Sequence, residues 1–296
     1  MPSPQFEKLL GALFRNKRPA GSLDVAAMRR GMETPAFPVA DDVQVESLVL
    51  AGVPVERIAA PGADPNRILL YLHGGGFVMG SPNTHRKLAG DLSRASRATV
   101  ILPDYPLAPE HPFPAAIDAV TRVYEAVLAS GISPERVAIG GDSAGGGLTA
   151  SLLINIRNRQ LPMPSAGVLI SPLLDLTRRS GFDPDLVARD PVVSPDDMVT
   201  MLDWYLGGAD PKQPLASPAR ADLTGLPPLL VQVGGAEVLL DQSRAIVDQA
   251  HACGVSAELE VWPDMVHVWH VFAGRVPEAT DAVARVGEFV RASTGR

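Results

Sequence analysis

Only one of the 296 residues is a cysteine, Cys253, so no disulfide can form within the chain, and no cysteine or histidine cluster is available to hold a metal. Neither a metal nor another cofactor is expected. No uninterrupted apolar run approaches the roughly 18 to 20 residues that cross a bilayer. The run from Ile68 to Leu72 stops at His73 and three glycines. The amino terminus lacks the basic region and apolar stretch of a secretory signal, so a cytoplasmic protein with no stable membrane association is expected. Charge of one sign is not gathered anywhere: 26 basic and 33 acidic side chains leave a formal charge of −7 with no like-charged block. That disfavours nucleic acid as a partner and mainly favours solubility. There is no internal repeat and no low-complexity segment.

What is present is a large apolar fraction, 46%, enough for one extended α/β unit with a sizeable core. Eight strand-like runs are visible: Val43 to Leu50, Val53 to Ala59, Arg67 to Leu72, Ala98 to Pro103, Arg136 to Gly140, Ala166 to Ser171, Leu229 to Val233 and Ala257 to Trp262. The first two alternate in polarity and lie close together, as a hairpin does. The last six are short, apolar and separated by helix-length segments, as in parallel strands buried on both faces. The expectation is an eight-stranded, mostly parallel sheet with helices on both faces.

Two segments break this alternation. Residues 1–40 carry Phe6, Leu9, Leu10, Leu13 and Phe14 at helical spacing, then Val25, Met28 and Met32. Residues 178–213 are rich in proline and aspartate until Ser194-Pro195-Asp196-Asp197 opens a helix with a capping serine, a first-turn proline and acids at its positive end. Met198, Met201, Leu202 and Tyr205 give that helix one apolar face. Both segments are read as a small helical cap, a substrate lid over a core of residues 41–177 and 214–296. Phe77, Met28, Met32, Met201 and Tyr205 are expected to line a pocket beneath it.

The chemistry centres on Gly141-Asp142-Ser143-Ala144-Gly145, directly after a strand-like run and before Leu148, Leu152 and Ile156 at helical spacing. A strand that turns sharply into a helix strains the serine backbone and leaves no room for side chains on either flank, which the small residues satisfy. This is the nucleophile-elbow pattern of α/β-hydrolases. His73-Gly74-Gly75-Gly76-Phe77 follows the third strand, and glycine is needed there because the backbone itself must approach a substrate oxyanion. Amides of Gly74, Gly75 and Ala144 are the expected donors.

A serine hydroxyl needs a base, and the base needs an acid to orient it. Of six histidines, His73 belongs to the glycine motif, His85 and His111 lie in polar or proline-rich loops, and His251 sits on a helical stretch. His267 and His270 follow the last strand, and His267, nearer to it, is preferred. The loop after Leu229 to Val233 offers two acids, Glu237 within it and Asp241 about a turn into the next helix. Glu237 is preferred, with Asp241 as the alternative. The chain order Ser143, Glu237, His267 is nucleophile, acid, base.

Together these blocks, with Asp104-Tyr105-Pro106-Leu107-Ala108-Pro109-Glu110-His111-Pro112-Phe113-Pro114 between them, resemble the hormone-sensitive lipase family of bacterial esterases over nearly the whole chain. The resemblance implies an α/β-hydrolase fold and a serine carboxylesterase acting on short- to medium-chain acyl esters. It implies a small-molecule ester substrate, without cofactor, and a structural rather than catalytic place for Asp104 and Asp142. Lactone hydrolysis, deacetylation of a small metabolite and amide hydrolysis would use the same residues. A ligand-binding relative of the fold lacks the catalytic histidine, unlike this chain. Two positions depart from the family pattern: Pro106 stands where arginine is frequent, and Glu237-Val238 where aspartate followed by proline is usual. Activity is expected to fall below roughly pH 6 to 7 as the base protonates. The edge strand Ala257 to Trp262 leaves a homodimer open.

Overall fold

A computed structural model describes residues 2–16, 21, 23–33 and 37–295. The strands are β1 (Gln44–Leu50), β2 (Val53–Ala59), β3 (Asp64–Leu72), β4 (Ala98–Pro103), β5 (Val137–Asp142), β6 (Ala166–Ile170), β7 (Leu229–Gly234) and β8 (Ala257–Trp262). They form one sheet in the order β1-β2-β4-β3-β5-β6-β7-β8. β1 pairs with β2, and β2 with β4, in antiparallel fashion, and every later pairing is parallel. Each expected strand is present. β3 begins earlier than Arg67, at Asp64, with a register break before Ile68, and β5 runs on to the residue before Ser143.

The apolar runs become strands because both of their faces are buried. In β3, Ile68, Leu70 and Leu72 enter one apolar cluster while Leu69 and Tyr71 enter the other. The helices that supply those clusters are α1 (Pro4–Arg15), α2 (Val25–Glu33), α3 (Pro82–Ser96), α4 (Ala115–Ala129), α5 (Ala144–Asn158), α6 (Pro184–Arg189), α7 (Pro195–Leu206), α8 (Leu240–Ala252) and α9 (Pro277–Thr294). Leu88 and Leu92 of α3 pack with Val286 and Val290 of α9 on one side. Ile117 of α4, Leu152 of α5 and Ile246 of α8 pack on the other. Each such side chain, fully buried, contributes about 1.5–3 kcal/mol.

The two segments outside the alternation are tied to this core. Phe6 of α1 is buried in the cluster of α3 and α9, and Ser3, which caps α1, gives its hydroxyl to Glu278 of α9 at 2.8 Å. In α2, Arg29 forms a two-armed ion pair with Glu110 at 2.9 and 2.7 Å. Residues 1, 17–20, 22 and 34–36 of the expected cap lie outside the described residues. In the second segment the Ser194 cap and α7 form as expected, and α6 is an additional short helix. His85, expected in a loop, is buried on α3, because Ser81 caps that helix four residues earlier. The segments following β3, β5, β7 and β8 leave the same carboxyl edge of the sheet, and they carry the residues singled out above.

Candidate active site

Ser143 occupies the turn between β5 and α5 with φ 53° and ψ −121°, a conformation that costs an ordinary residue about 1–3 kcal/mol. The turn closes only because its flank is small: a Cβ on Gly145 would collide with the Leu72 carbonyl oxygen. The serine is thus held at the top of the sheet, where His267 Nε2 lies 2.9 Å from its Oγ. On the other side of the ring, His267 Nδ1 is 2.6 Å from Glu237 Oε2. A carboxylate only accepts, so Nδ1 carries the proton and Nε2 is left to accept one from the serine.

Glu237 is fully buried, and its other oxygen is also occupied: Oε1 accepts from the Gly234 amide at 2.6 Å and from the Ser171 hydroxyl at 2.8 Å. Ser171 in turn accepts from the Val268 amide at 3.2 Å, so one hydroxyl joins the acid to the loop of the base. Sequence reasoning missed Ser171. It stands one residue beyond β6 with φ 44°, and nothing in its local pattern marks it.

Burial alone would lower the pKa of His267, but the hydrogen bond and charge of Glu237, with smaller contributions from Asp190 and Asp142, raise it above the ordinary 6.5. The alternatives are placed elsewhere. Asp241 is half-exposed on α8, 3.7 Å from Arg178. His270 lies in a tight turn, Trp269–Phe272, with Nε2 2.7 Å from Gln232 Oε1, and burial drives its pKa to about 3, so it is uncharged at neutral pH.

The glycine motif needs one correction. The Gly74 nitrogen lies 3.3 Å from His85 Nε2, which is also 3.3 Å from Asp142 Oδ2, and Gly74 does not line the cavity. Gly75 and Gly76, with φ 118° and 62°, border the cavity beside Ser143, and among the described residues none accepts from either amide. Gly76 thus borders the cavity with Gly75, in the place expected for Gly74. Ala144 is the first residue of α5, where an amide has no acceptor within the helix. Beneath this loop, buried Asp142 accepts from Tyr71 Oη at 2.9 Å and lies 3.3 Å from His85 Nε2. Burial would raise the Asp142 pKa, but the charge and hydrogen bond of His85 and the Tyr71 hydroxyl lower it. His73 stacks on Tyr105 at 4.1 Å between ring centres, and burial takes its pKa down to about 3. Asp142 and His73 thus lie beneath the loop, and Asp142 also borders the cavity. Asp104 stays at the surface, its amide bonded to the Pro54 carbonyl at 2.9 Å.

Ser143 and His267 open onto a cavity of about 450 Å³. Met28, Met32, Met79, Met198 and Met201 line it, five of the eight methionines in the chain, so its wall is apolar and adaptable in shape. Phe77 and Tyr205, expected in that wall, do not reach it. Their rings stack on each other at 3.8 Å, buried behind it, because Phe77 turns with φ 63° into the core beneath α7. Among the described residues no group of three or more His, Cys, Asp or Glu side chains is arranged to hold a metal, and no helix is long and apolar enough to cross a membrane.

Residues 69–271, more than half of the chain, match the family described as alpha/beta hydrolase fold. The chain belongs to this family. Among solved structures, an esterase from the bacterial hormone-sensitive lipase family is 45% identical with a TM-score of 0.94, covering 100% of both chains. That likeness places the chain in the hormone-sensitive lipase branch of the α/β-hydrolases. EstE5, in a crystal soaked with p-nitrophenyl butyrate, is 46% identical with a TM-score of 0.95, covering 99% of this chain and 100% of its own. An acetyl-hydrolase of Streptomyces hygroscopicus is 43% identical over 235 residues, 79% of each protein.

Proposed function

We propose that this α/β-hydrolase is a serine carboxylesterase that cleaves short- to medium-chain acyl esters through an acyl-enzyme on Ser143. The observation that carries the reading is the unbroken line from Glu237 Oε2 through both nitrogens of His267 to Ser143 Oγ, at 2.6 and 2.9 Å, at the floor of an apolar cavity. In this reading Ser143 attacks the acyl carbon as its proton passes to His267 Nε2, and Glu237 balances the imidazolium that forms. The oxyanion is met by the amides of Gly75, Gly76 and Ala144, each worth roughly 3–4 kcal/mol to the transition state. His267 then gives its proton to the leaving alcohol. Water repeats the attack on the acyl-serine, with His267 again the base, and releases the acid.

Support for the chain length comes from the cavity's limited volume and from the p-nitrophenyl butyrate soaked into the EstE5 crystal. The name of the Streptomyces relative favours a second reading of the same chemistry, removal of an acetyl group from a small metabolite. In either case α1, α2 and residues 178–213 serve as the substrate lid. A cytoplasmic location accords with the single cysteine, and self-pairing of β8 at the sheet edge would make a homodimer, a point that light scattering checks. Hydrolysis of p-nitrophenyl esters from acetate to octanoate tests the function. Activity is expected to be highest at butyrate or hexanoate, or at acetate for the second reading, and to vanish in Ser143→Ala. An inactive parent, or an active Ser143→Ala, overturns the proposal.

A further inference from the structure

The wall of the cavity is fastened to the catalytic loops by a residue outside the triad. Between α6 and α7 the chain turns at Asp190, which is fully buried. Its Oδ1 accepts from the amides of Val192 and Val193 at 2.8 and 3.0 Å, which shapes the stretch from Pro191 to Ser194 that lines the cavity. Its Oδ2 crosses to the acid loop and accepts at 3.1 Å from the amide of Val238, the residue after Glu237. The adjacent Arg189 reaches the loop of the base, with Nη2 3.1 Å from Asp264 Oδ1, three residues before His267. That pair is half-exposed and worth little alone, so the connection rests on Asp190.

Burying a carboxylate is costly unless its charge is met by donors, and among the described residues three amides are such donors here. Two of those amides would suffice to shape the wall. The third ties the carboxylate to the backbone that carries the acid. It is available only because residue 238 is not proline, which has no N–H to give; Glu237-Val238 therefore permits a bond that an acid-proline pair excludes.

We propose that Asp190 is a positioning residue for the Glu237–His267 pair, joining the wall of the substrate cavity to the acid loop. Filling of the cavity and alignment of the acid are then linked through one side chain. The Asp190 charge also acts on His267 from the cap side, adding to Glu237 after β7 and Asp142 at the end of β5, whereas neighbouring His270 is uncharged. Its removal takes away part of what stabilises the imidazolium.

The inference takes His267 as the base, as in the function proposed above, and its test keeps the two apart. Asp190→Asn retains the shape but presents only one acceptor oxygen, so the wall or the acid loop loses its partner. Val238→Pro deletes the same cross-link and leaves the charge in place. For p-nitrophenyl butyrate, with active sites counted by sulfonyl fluoride labelling, both variants are expected to lose about tenfold or more in kcat, the order seen when residues that orient metal ligands are removed. The titration midpoint of His267, followed by NMR of its ring protons, is expected to fall in Asp190→Asn and not in Val238→Pro. Earlier melting with kcat per site within twofold of the parent and an unmoved midpoint assigns Asp190 to stability alone and overturns the proposal. If Asp190→Asn does not fold, Val238→Pro decides: kcat within twofold overturns it. A parent without esterase activity overturns the proposed function, while the midpoint in Asp190→Asn still judges Asp190.

Discussion

Replacing Glu237 with glutamine tests the acid with almost no change of shape, and the hydrogen bonds around it dictate how the amide must sit. Oε1 of Glu237 receives the Gly234 N–H and the Ser171 hydroxyl at 2.6 and 2.8 Å. The Gly234 N–H can only donate, so the glutamine carbonyl must take that position, and its NH₂ group faces His267 Nδ1. A donor there requires Nδ1 to be unprotonated. The ring then carries its proton on Nε2, facing Ser143 Oγ, and it can no longer accept the serine proton. The equivalent change in a serine-protease triad, with the same tautomer consequence, lowers kcat about 10⁴-fold, or roughly 5 kcal/mol of transition-state stabilisation. We expect that order of loss in kcat for p-nitrophenyl butyrate with little change in melting temperature. Asp241→Asn is the matched control: Asp241 is half-exposed, and its pairing with Arg178 is 3.7 Å long, so activity should stay within about twofold, as for exposed ion pairs of small energy. A loss below tenfold in Glu237→Gln, or a large loss in Asp241→Asn, refutes the assignment.

The remaining expectations concern the base, the oxyanion loop and Ser171. Since His267 must be neutral to act, and its pKa is raised above 6.5, the acid limb of a kcat/KM–pH profile should have its midpoint above 6.5; a midpoint well below it removes Glu237 as the dominant influence. The sign for stability follows from the same shift: the protonated pair adds stability that is fully present below the unfolded value of about 6.5 and is lost as pH rises through the folded value, measurable as melting temperature against pH. Gly76→Ala forces a side chain into φ 62° with its Cβ 2.7 Å from Met201 Sδ, displacing the oxyanion loop; kcat should fall by about 10² or more, and near-parent kcat refutes the place given to Gly76. Ser171→Ala leaves Glu237 Oε1 with Gly234 alone and the Val268 amide without an acceptor, so denaturant unfolding should show a loss of about 2–4 kcal/mol together with a fall in kcat.

Much of this site could be read from the chain because its constraints act on the backbone, and such constraints leave glycine behind. The elbow at Ser143 and the loop after β3 need close approach and unusual φ angles, which few residues tolerate. Strands buried on both faces leave apolar runs, so the order of elements was equally visible, and with it the order of nucleophile, acid and base. The misassigned positions depend instead on the direction of a group within an element. Gly74 and Gly76 are alike as letters, and what separates them is that Gly76 borders the cavity while Gly74 lies against His85, on a helix that the sequence reads as a loop. Phe77 and Tyr205 are apolar, as a pocket wall or a core requires, and pattern alone does not say which of the two surfaces a ring joins.

The same distinction explains why the acid is held by residues that no motif contains. One oxygen of Glu237 meets His267, thirty positions along the chain, and the other meets Ser171, sixty-six positions back. Asp190 reaches Val238 across forty-eight. Neither Ser171 nor Asp190 needs a special neighbour in sequence, because each acts through a side-chain oxygen whose partners are brought to it by the parallel pairing of β6 with β7 and by the turn after α6. Here Ser171 and the Gly234 amide hold the free oxygen of Glu237 while Asp190 holds the backbone beside it, so substitutions at 171, 190 and 238 should be read together with any change at 237.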